Sequence, residues 1–309
     1  MGIWIDTDMG FDDIAAVLCV IHGGKTIDGM SLVAGNCPLP QVARNAAAAA
    51  SLFGWQFPIH QGRDCATLGT LETAERIMGP TGMLSVGKTL PDATLKPAKP
   101  AFDALCEWLQ NPAPAGNARH ILALGPLGNI AALLLARPEL AAKIDQITWM
   151  GGAVSLGNHT ASAEYNAFAD PEALAIVLAH TVPFRMVDLD LCRQVLAQPD
   201  DVPAIRHAGG QNAALLADLT EGYITIALKR GRTAMALFDP CAAIALTNND
   251  VIEFAPAHIT VDLNSGPSRG RTIVDPRPAS PKNGAYAVRV NATAARDMIF
   301  SALQAEAKK

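Results

Sequence analysis

The sequence predicts an α/β protein with an open, mostly parallel β-sheet flanked by helices. Three observations predict it. Short apolar runs alternate with longer helix-like segments through the first two thirds of the chain, the pattern of parallel βαβ units. Half of the 309 residues are hydrophobic, enough for a large core. Polar residues fall where several apolar runs end, as they do when a site lies at the carboxyl edge of such a sheet.

In chain order, strands are predicted at 2–6, 28–34, 57–60, 119–124, 144–150 and 182–188. Helices are predicted at 12–22, 40–53, 100–110, 127–136 and 171–180. The last third reads differently: two helices within 200–230, another at 240–247, strands at 257–263, 270–275 and 285–290, and a final helix at 293–306. The stretch 61–99 is rich in Gly, Pro and Thr and reads as a long mobile loop over the site. No linker cuts the chain and no repeat is visible, so residues 1–309 are expected to form a single domain.

Composition argues against several classes. Net charge is −5 and no basic block occurs, which speaks against nucleic-acid partners. Cys19, Cys37, Cys65, Cys106, Cys192 and Cys241 show neither CxxC nor zinc-like spacing, as expected of thiols in a reducing compartment. No basic region precedes an apolar N-terminal stretch, and Asp6 stands where myristoylation of Gly2 wants Ser or Thr. No apolar run approaches the ~18 residues of a membrane span. A soluble cytoplasmic protein without membrane partners is the expectation.

The densest chemistry is at the start. Asp6, Asp8, Asp12 and Asp13 lie within eight residues, between a strand-like run and a helix-like one. Asp12 or Asp13 can cap the helix that follows, but capping does not account for Asp6 and Asp8 as well. Four carboxylates at one turn repel one another unless a hard cation with oxygen ligands sits among them. No G-x-G-x-x-G follows the first strand, which argues against a dehydrogenase. A phosphotransferase of the haloacid dehalogenase type also starts D-x-D, but expects a different continuation from Met9-Gly10-Phe11-Asp12-Asp13.

Gly82-Met83-Leu84-Ser85-Val86-Gly87-Lys88-Thr89 matches a phosphate-binding loop by letter. Neither a strand before it nor a helix after it is predicted, so it reads as a chance match. Asp170-Pro171 has the form of a helix start, and Asp239-Pro240 has the same form. Asn158, Glu164 and Asn166 lie in a loop and offer the donors and acceptors that sugar hydroxyls need. The seven histidines form no spaced cluster, and no G-x-S-x-G marks a serine nucleophile. Asp6, Asp8, Asn36, Leu124-Gly125-Pro126 and Met150-Gly151-Gly152 all follow or end strand-like runs, and would meet on one rim of a parallel sheet.

Asp6-Thr7-Asp8-Met9-Gly10-Phe11-Asp12-Asp13 resembles the D-x-D-P-G-x-D-D signature of the inosine–uridine-preferring nucleoside hydrolases. Val33-Ala34-Gly35-Asn36, the block Ala123–Ala131, Met150-Gly151-Gly152, Ala163-Glu164-Tyr165-Asn166 with Asp170-Pro171-Glu172, and Asp239-Pro240-Cys241-Ala242 resemble later blocks of that family in order. The likeness runs from residue 2 to about 305. It implies a Rossmann-like sheet, a ribonucleoside substrate, a bound Ca²⁺ and a homodimer or homotetramer. Carried over by position, Asp8, Asp13, the backbone carbonyl of Leu124 and Asp239 would ligate the calcium, and Asp8 would double as the general base toward water. Asp12, Asn166 and Asp239 would hold the ribose 2′- and 3′-hydroxyls. Asn158 and Glu164 would hold the 5′-hydroxyl, Met150 would line the sugar pocket, Asn36 would orient base or water, and Asp6 would support the cluster.

The base end departs from the family pattern. Two histidines line it in many members, but here those positions are Met78 and Phe238, and Met9 replaces the signature proline. An aromatic at 238 fits purine-preferring relatives, in which stacking raises the basicity of the ring. Tyr223, Lys229, Arg230 or His159 would be the alternative donors. Two outcomes are open: a purine-leaning ribonucleoside hydrolase, or a protein of the same fold that binds a ribose-containing ligand without cleaving common nucleosides.

Overall fold

The computed structural model describes residues 1–112 and 118–309. Six strands lead the chain: β1 (Gly2–Thr7), β2 (Thr26–Leu32), β3 (Ile59–Gln61), β4 (Arg119–Ala123), β5 (Gln146–Met150) and β6 (Phe184–Val187). Two short ones, β7 (Leu196–Ala197) and β8 (Met235–Ala236), pair with each other. Then come β9 (Ile252–Val261), β10 (Thr272–Asp275) and β11 (Gly284–Val290). Among the described residues the main sheet has nine strands, in the order β10-β9-β11-β6-β5-β4-β1-β2-β3. From β11 to β3 every neighbour is parallel. Strand β9 alone runs antiparallel, to both β10 and β11.

The predicted α/β class holds, and β1 shows why. All six of its residues are buried, as in a strand covered on both faces. Ile3 and Ile5 enter one core, and Trp4 enters the core on the opposite face. Each such side chain contributes roughly 1.5–3 kcal/mol by burial. The helix Phe11–His22 follows directly and buries nearly its whole surface, against the helices Asp239–Thr247 and Ala292–Ala307.

Topology places the site. The chain starts in the middle of the sheet at β1, runs outward through β2 and β3, then crosses back to lay β4 on the other side of β1. Connections therefore diverge between the carboxyl ends of β1 and β4, the crevice where open α/β sheets bind ligands. Leu124 closes this edge by donating its N–H to Asp6 O at 2.8 Å.

One C-terminal strand begins earlier than expected. β9 starts at Ile252 rather than 257 and carries Pro256, which stands opposite Ala285. A proline inside a strand argues against strand when only sequence is read. The stretch 61–99 is irregular except for the end of β3 and the short helix Glu75–Met78. Residues 82–88 have no strand before them or helix after them. They dock on the helix Ala213–Leu228, where Lys88 N–H donates to Asp218 Oδ2 at 2.7 Å and Val86 N–H to Asp218 O at 3.2 Å. A β-carbon on Gly222 would lie 2.1 Å from Leu84 O, so only glycine allows this approach. No described helix is long and apolar enough to cross a membrane.

Candidate active site

The turn after β1 is held by its own side chains. Thr7 Oγ1 donates to Asp13 Oδ1 and accepts from Met9 N–H at 3.1 Å. Gly10 N–H donates to Asp13 Oδ2 at 2.7 Å. Asp13 therefore does serve the start of its helix, half a capping box around Gly10. Met9 has φ of 47°, the only positive φ outside glycine among the described residues. Asn45 Nδ2 fixes its carbonyl at 3.1 Å.

Asp8 is gripped from the next loop. Asn36 donates its backbone N–H to Asp8 Oδ2 at 2.7 Å and its Nδ2 to Asp8 Oδ1 at 2.9 Å. That Nδ2 also reaches Asp13 Oδ2 at 3.3 Å. Gly35 is required beside it, since a β-carbon there would fall 2.0 Å from Asp8 Oδ2. Asp6 sits beneath, accepting from Ser31 Oγ and, at 2.8 Å, from Asn129 Nδ2. Burial pushes its carboxyl up to about 7.

Asp12 and Asp239 complete the acidic group. The helix Asp239–Thr247 has Phe238 at its cap position and Asp239 as its first residue. The Asp-Pro form thus misleads here: Asp239 is not the cap, and its carboxyl is left for the cleft. At Asp170 the same form does mark a cap, accepting from Ala173 N–H at 3.1 Å. Carboxylate oxygens of Asp12, Asp13 and Asp239 lie within 4.8 Å of one another, all buried. Tyr223 Oη lies 3.1 Å from Asp12 Oδ2 and 3.0 Å from Ala236 O. The other oxygen, Asp12 Oδ1, is buried without a partner.

Burial pushes the Asp12 carboxyl up to about 7, and the charge of Asp13 adds to it. Asp8 and Asp239 are driven well above the ordinary carboxylate range, by burial first and by neighbouring carboxylates second. Asp13 is raised by burial and partly drawn back by Thr7 and Gly10. No Lys or Arg pairs with any of the four among the described residues. Buried charges without partners are costly. A buried set of carboxylates, with Asp12 Oδ1 left unsatisfied, fits a hard divalent cation.

The opposite wall comes from 150–166. Asn166 Nδ2 donates to Leu124 O at 2.8 Å and Met150 O at 3.0 Å, tying the ends of β4 and β5 together. Glu164 caps the helix Tyr165–Ala169, accepting from Asn166 N–H at 2.8 Å and Ala167 N–H at 3.0 Å, and also from Gly152 N–H at 2.8 Å. Burial outweighs these donors and lifts its carboxyl to about 7. Asn158 Oδ1 accepts from Tyr165 N–H at 3.0 Å.

One cleft joins these groups, about 890 Å³ including its mouth, within the usual size of small-molecule sites. Asp8, Asp12, Asn36, Leu124, Met150, Asn158, Glu164, Asn166 and Asp239 line it. Met78, Phe238, His159, Tyr223 and Arg230 line it too. Asp13 lies behind the lining, and Lys229 does not reach it. Tyr223, expected as a donor toward the base, instead lies against Asp12. His159 packs its ring tilted against Phe168, centroids 4.4 Å apart, and sets Nε2 3.3 Å from Glu72 of the 61–99 stretch. Burial lowers its imidazole below the ordinary value.

Several contributors were missed, among them Ala74, Ile77, Ala227 and Met235 of the lining. Tyr165 Oη lies 2.6 Å from Gly35 O and 3.0 Å from Glu72 O, bridging two loops. Asn129 joins Asp6, Leu32 O and Arg63 N–H. Ile226 and Arg232 line the cleft from the far side. Tyr165 between Glu164 and Asn166, and Asn129 within the block Ala123–Ala131, were the available signals; the others become neighbours only through the fold.

Fold and cleft define a class first: an α/β enzyme with an acidic crevice at the switch point of a parallel sheet. The chain belongs to the inosine-uridine preferring nucleoside hydrolase family, whose sequence model matches residues 3–297. It is 31% identical over 278 residues to the non-specific ribonucleoside hydrolase RihC of Salmonella paratyphi B, covering 88% of this chain and 87% of that one. Among solved structures, a purine-preferring ribonucleoside hydrolase from Gardnerella vaginalis superimposes with a TM-score of 0.91 at 28% identity, covering 100% of this chain and 99% of the other. A plant nucleoside hydrolase, at 24% identity over 98% and 99% of the two chains, shares the fold with a TM-score of 0.89. The chain is accordingly a hydrolase of N-glycosyl compounds that acts on ribonucleosides.

Proposed function

We propose that this enzyme hydrolyses the N-glycosidic bond of ribonucleosides with Ca²⁺ as its resident cation, and that it favours purine nucleosides. The observation that carries the reading is the buried group of Asp12, Asp13 and Asp239, with buried Asp8 beside it, no cationic side chain paired to them among the described residues, and Asp12 Oδ1 unsatisfied.

Asp13, Asp239, Asp8 and the Leu124 carbonyl would hold the cation. When bound, Ca²⁺ supplies Lewis acidity toward water and orientation of the ribose diol. Asp12, Asp239 and Asn166 bind the 2′- and 3′-hydroxyls, with Tyr223 holding Asp12 in place. Glu164 and Asn158 take the 5′-hydroxyl, and Met150 lies against the sugar. Asn36 fixes both oxygens of Asp8, which aims the carboxylate as the base that accepts a proton from the attacking water. The sugar becomes oxocarbenium-like as the bond breaks, and the surrounding carboxylates stabilise that charge. Phe238, with Ile77, Met78 and Ile226, offers the base an apolar slot. Purine preference is supported by the aromatic at 238 and by the purine preference of the Gardnerella relative. Phe238→Ala is expected to lower kcat on inosine; an unchanged kcat removes stacking from the account.

Met78 and Phe238, where many relatives carry histidine, favour one other reading: ribose-ligand binding without cleavage. Reducing sugar released from a panel of ribonucleosides with Ca²⁺ present decides between them. Release from purine nucleosides is expected, and release from none supports the binding reading.

A further inference from the structure

The cleft has two kinds of lining. One is the buried carboxylates. The other is apolar, from Ile77, Met78, Ile226, Ala227, Met235 and Phe238, and the exposed Arg230 and Arg232 line the same cleft. Neither guanidinium has an ion pair or a side-chain hydrogen bond among the described residues, although most other arginines do. Both follow the helix Ala213–Leu228, and Gly231 between them takes φ of 72°, which turns the chain so that both line the cleft. Two fork-shaped donors without protein partners, lining the same cleft as these apolar side chains, suit a ligand edge with adjacent acceptors.

We infer that Arg230 and Arg232 form the leaving-group site: they donate to the O6/N7 edge of a 6-oxopurine and hold the charge that the base gains as its glycosidic bond breaks. This rests on the nucleoside-hydrolase reading above. An arginine pairs with O6 and N7 of guanine in this way in DNA recognition, whereas adenine places an amino donor at that position. The balance is simple. The C1′–N9 bond breaks and its electron pair passes into the purine, spreading onto N7 and O6. The water oxygen bonds to C1′, and its proton passes to Asp8. The guanidiniums only donate hydrogen bonds and transfer no proton. The departing base takes its proton from solvent. The arginines thus fill the role left open by Met78 and Phe238. A pyrimidine, with no N7 beside its carbonyl, offers them no such edge.

The test uses the Ca²⁺-loaded enzyme and an Arg230→Ala/Arg232→Ala double variant, assayed on inosine, adenosine and 4-nitrophenyl β-D-riboside, whose leaving group is stable as an anion. On inosine, kcat/KM is expected to fall roughly 10- to 100-fold, mostly in kcat. On the other two substrates the change is expected to stay within about 3-fold. The double lysine variant is expected to recover only part of the loss, because a point charge cannot fork. Equal losses on all three substrates, or no loss on inosine, overturn the proposal. If the unmodified enzyme cleaves the nitrophenyl riboside but prefers adenosine or uridine to inosine, the arginine reading fails while the hydrolase reading stands. If it cleaves neither the riboside nor any nucleoside, both fail.

Discussion

Replacing Asp239 with asparagine gives opposite effects with and without the cation. In the cation-free protein, Asp239 is buried among Asp12, Asp13 and Asp8, and burial together with their charges raises its carboxyl far above the ordinary range. The Asp239→Asn substitution removes the cost of holding that charge but leaves a buried amide short of partners, a penalty of about 1–3 kcal/mol. The repulsion is the larger effect, so without cation the variant is expected to melt above wild type, by about 2–4 °C for each kcal/mol of net gain. With Ca²⁺ at about 1,000 times its Kd the wild type gains about 4 kcal/mol by linkage, and the variant, missing a ligand, gains much less. The order of stability should therefore invert. Thermal melts at pH 8, in chelator and in millimolar Ca²⁺, read both signs. An Asp239→Asn protein that melts below wild type in chelator as well would refute the repulsion argument.

Four further outcomes follow from the same geometry. Met9→Pro restores the residue of the family signature, but proline cannot take φ of 47° and loses the N–H that Thr7 accepts; a loss of about 3 kcal/mol or more is expected, and an unchanged Tm would show that the turn has another form. Gly222→Ala places a β-carbon against Leu84 O, so residues 82–88 should lift, with faster proteolysis in that stretch and a drop in kcat/KM of about 10-fold or more; equal cleavage rates would count against docking at this point. Ca²⁺ affinity, followed by calorimetric titration, should fall as pH drops below about 7, since protons compete for the same carboxylates. The cation-free protein should behave oppositely: its raised carboxyls bind more protons folded than unfolded between 3.8 and about 7, so its stability falls as pH rises through that window. An affinity that is flat from pH 8 to 5.5 contradicts this.

The parallel half of the sheet was legible because each strand is an apolar run bounded by turn residues. Its far edge was less so. Pro256 interrupts the pattern of β9, and the two-residue strands β7 and β8 are too short to carry any. In the site, Asp6, Asp8, Asp12 and Asp13 announce themselves by local crowding. Asp239 does not, because Asp-Pro before a helix looks like a cap whether or not the carboxyl is used as one; only the observed start at Asp239, with Phe238 before it, separates the cases. Asn129 supports Asp6 from 123 residues away, and Arg232 reaches the cleft only through the turn at Gly231. Such contacts leave no mark in a single sequence.

The central claim is calcium-dependent cleavage of a ribonucleoside by the acidic crevice, and one titration tests it directly. The purified enzyme is assayed on inosine for ribose and hypoxanthine after exhaustive chelation and again on stepwise return of Ca²⁺, with bound metal measured at each step. The account predicts that both products appear in equal amounts, in proportion to bound calcium up to one ion per chain. Full release with no cation bound, or none at full occupancy, would contradict it.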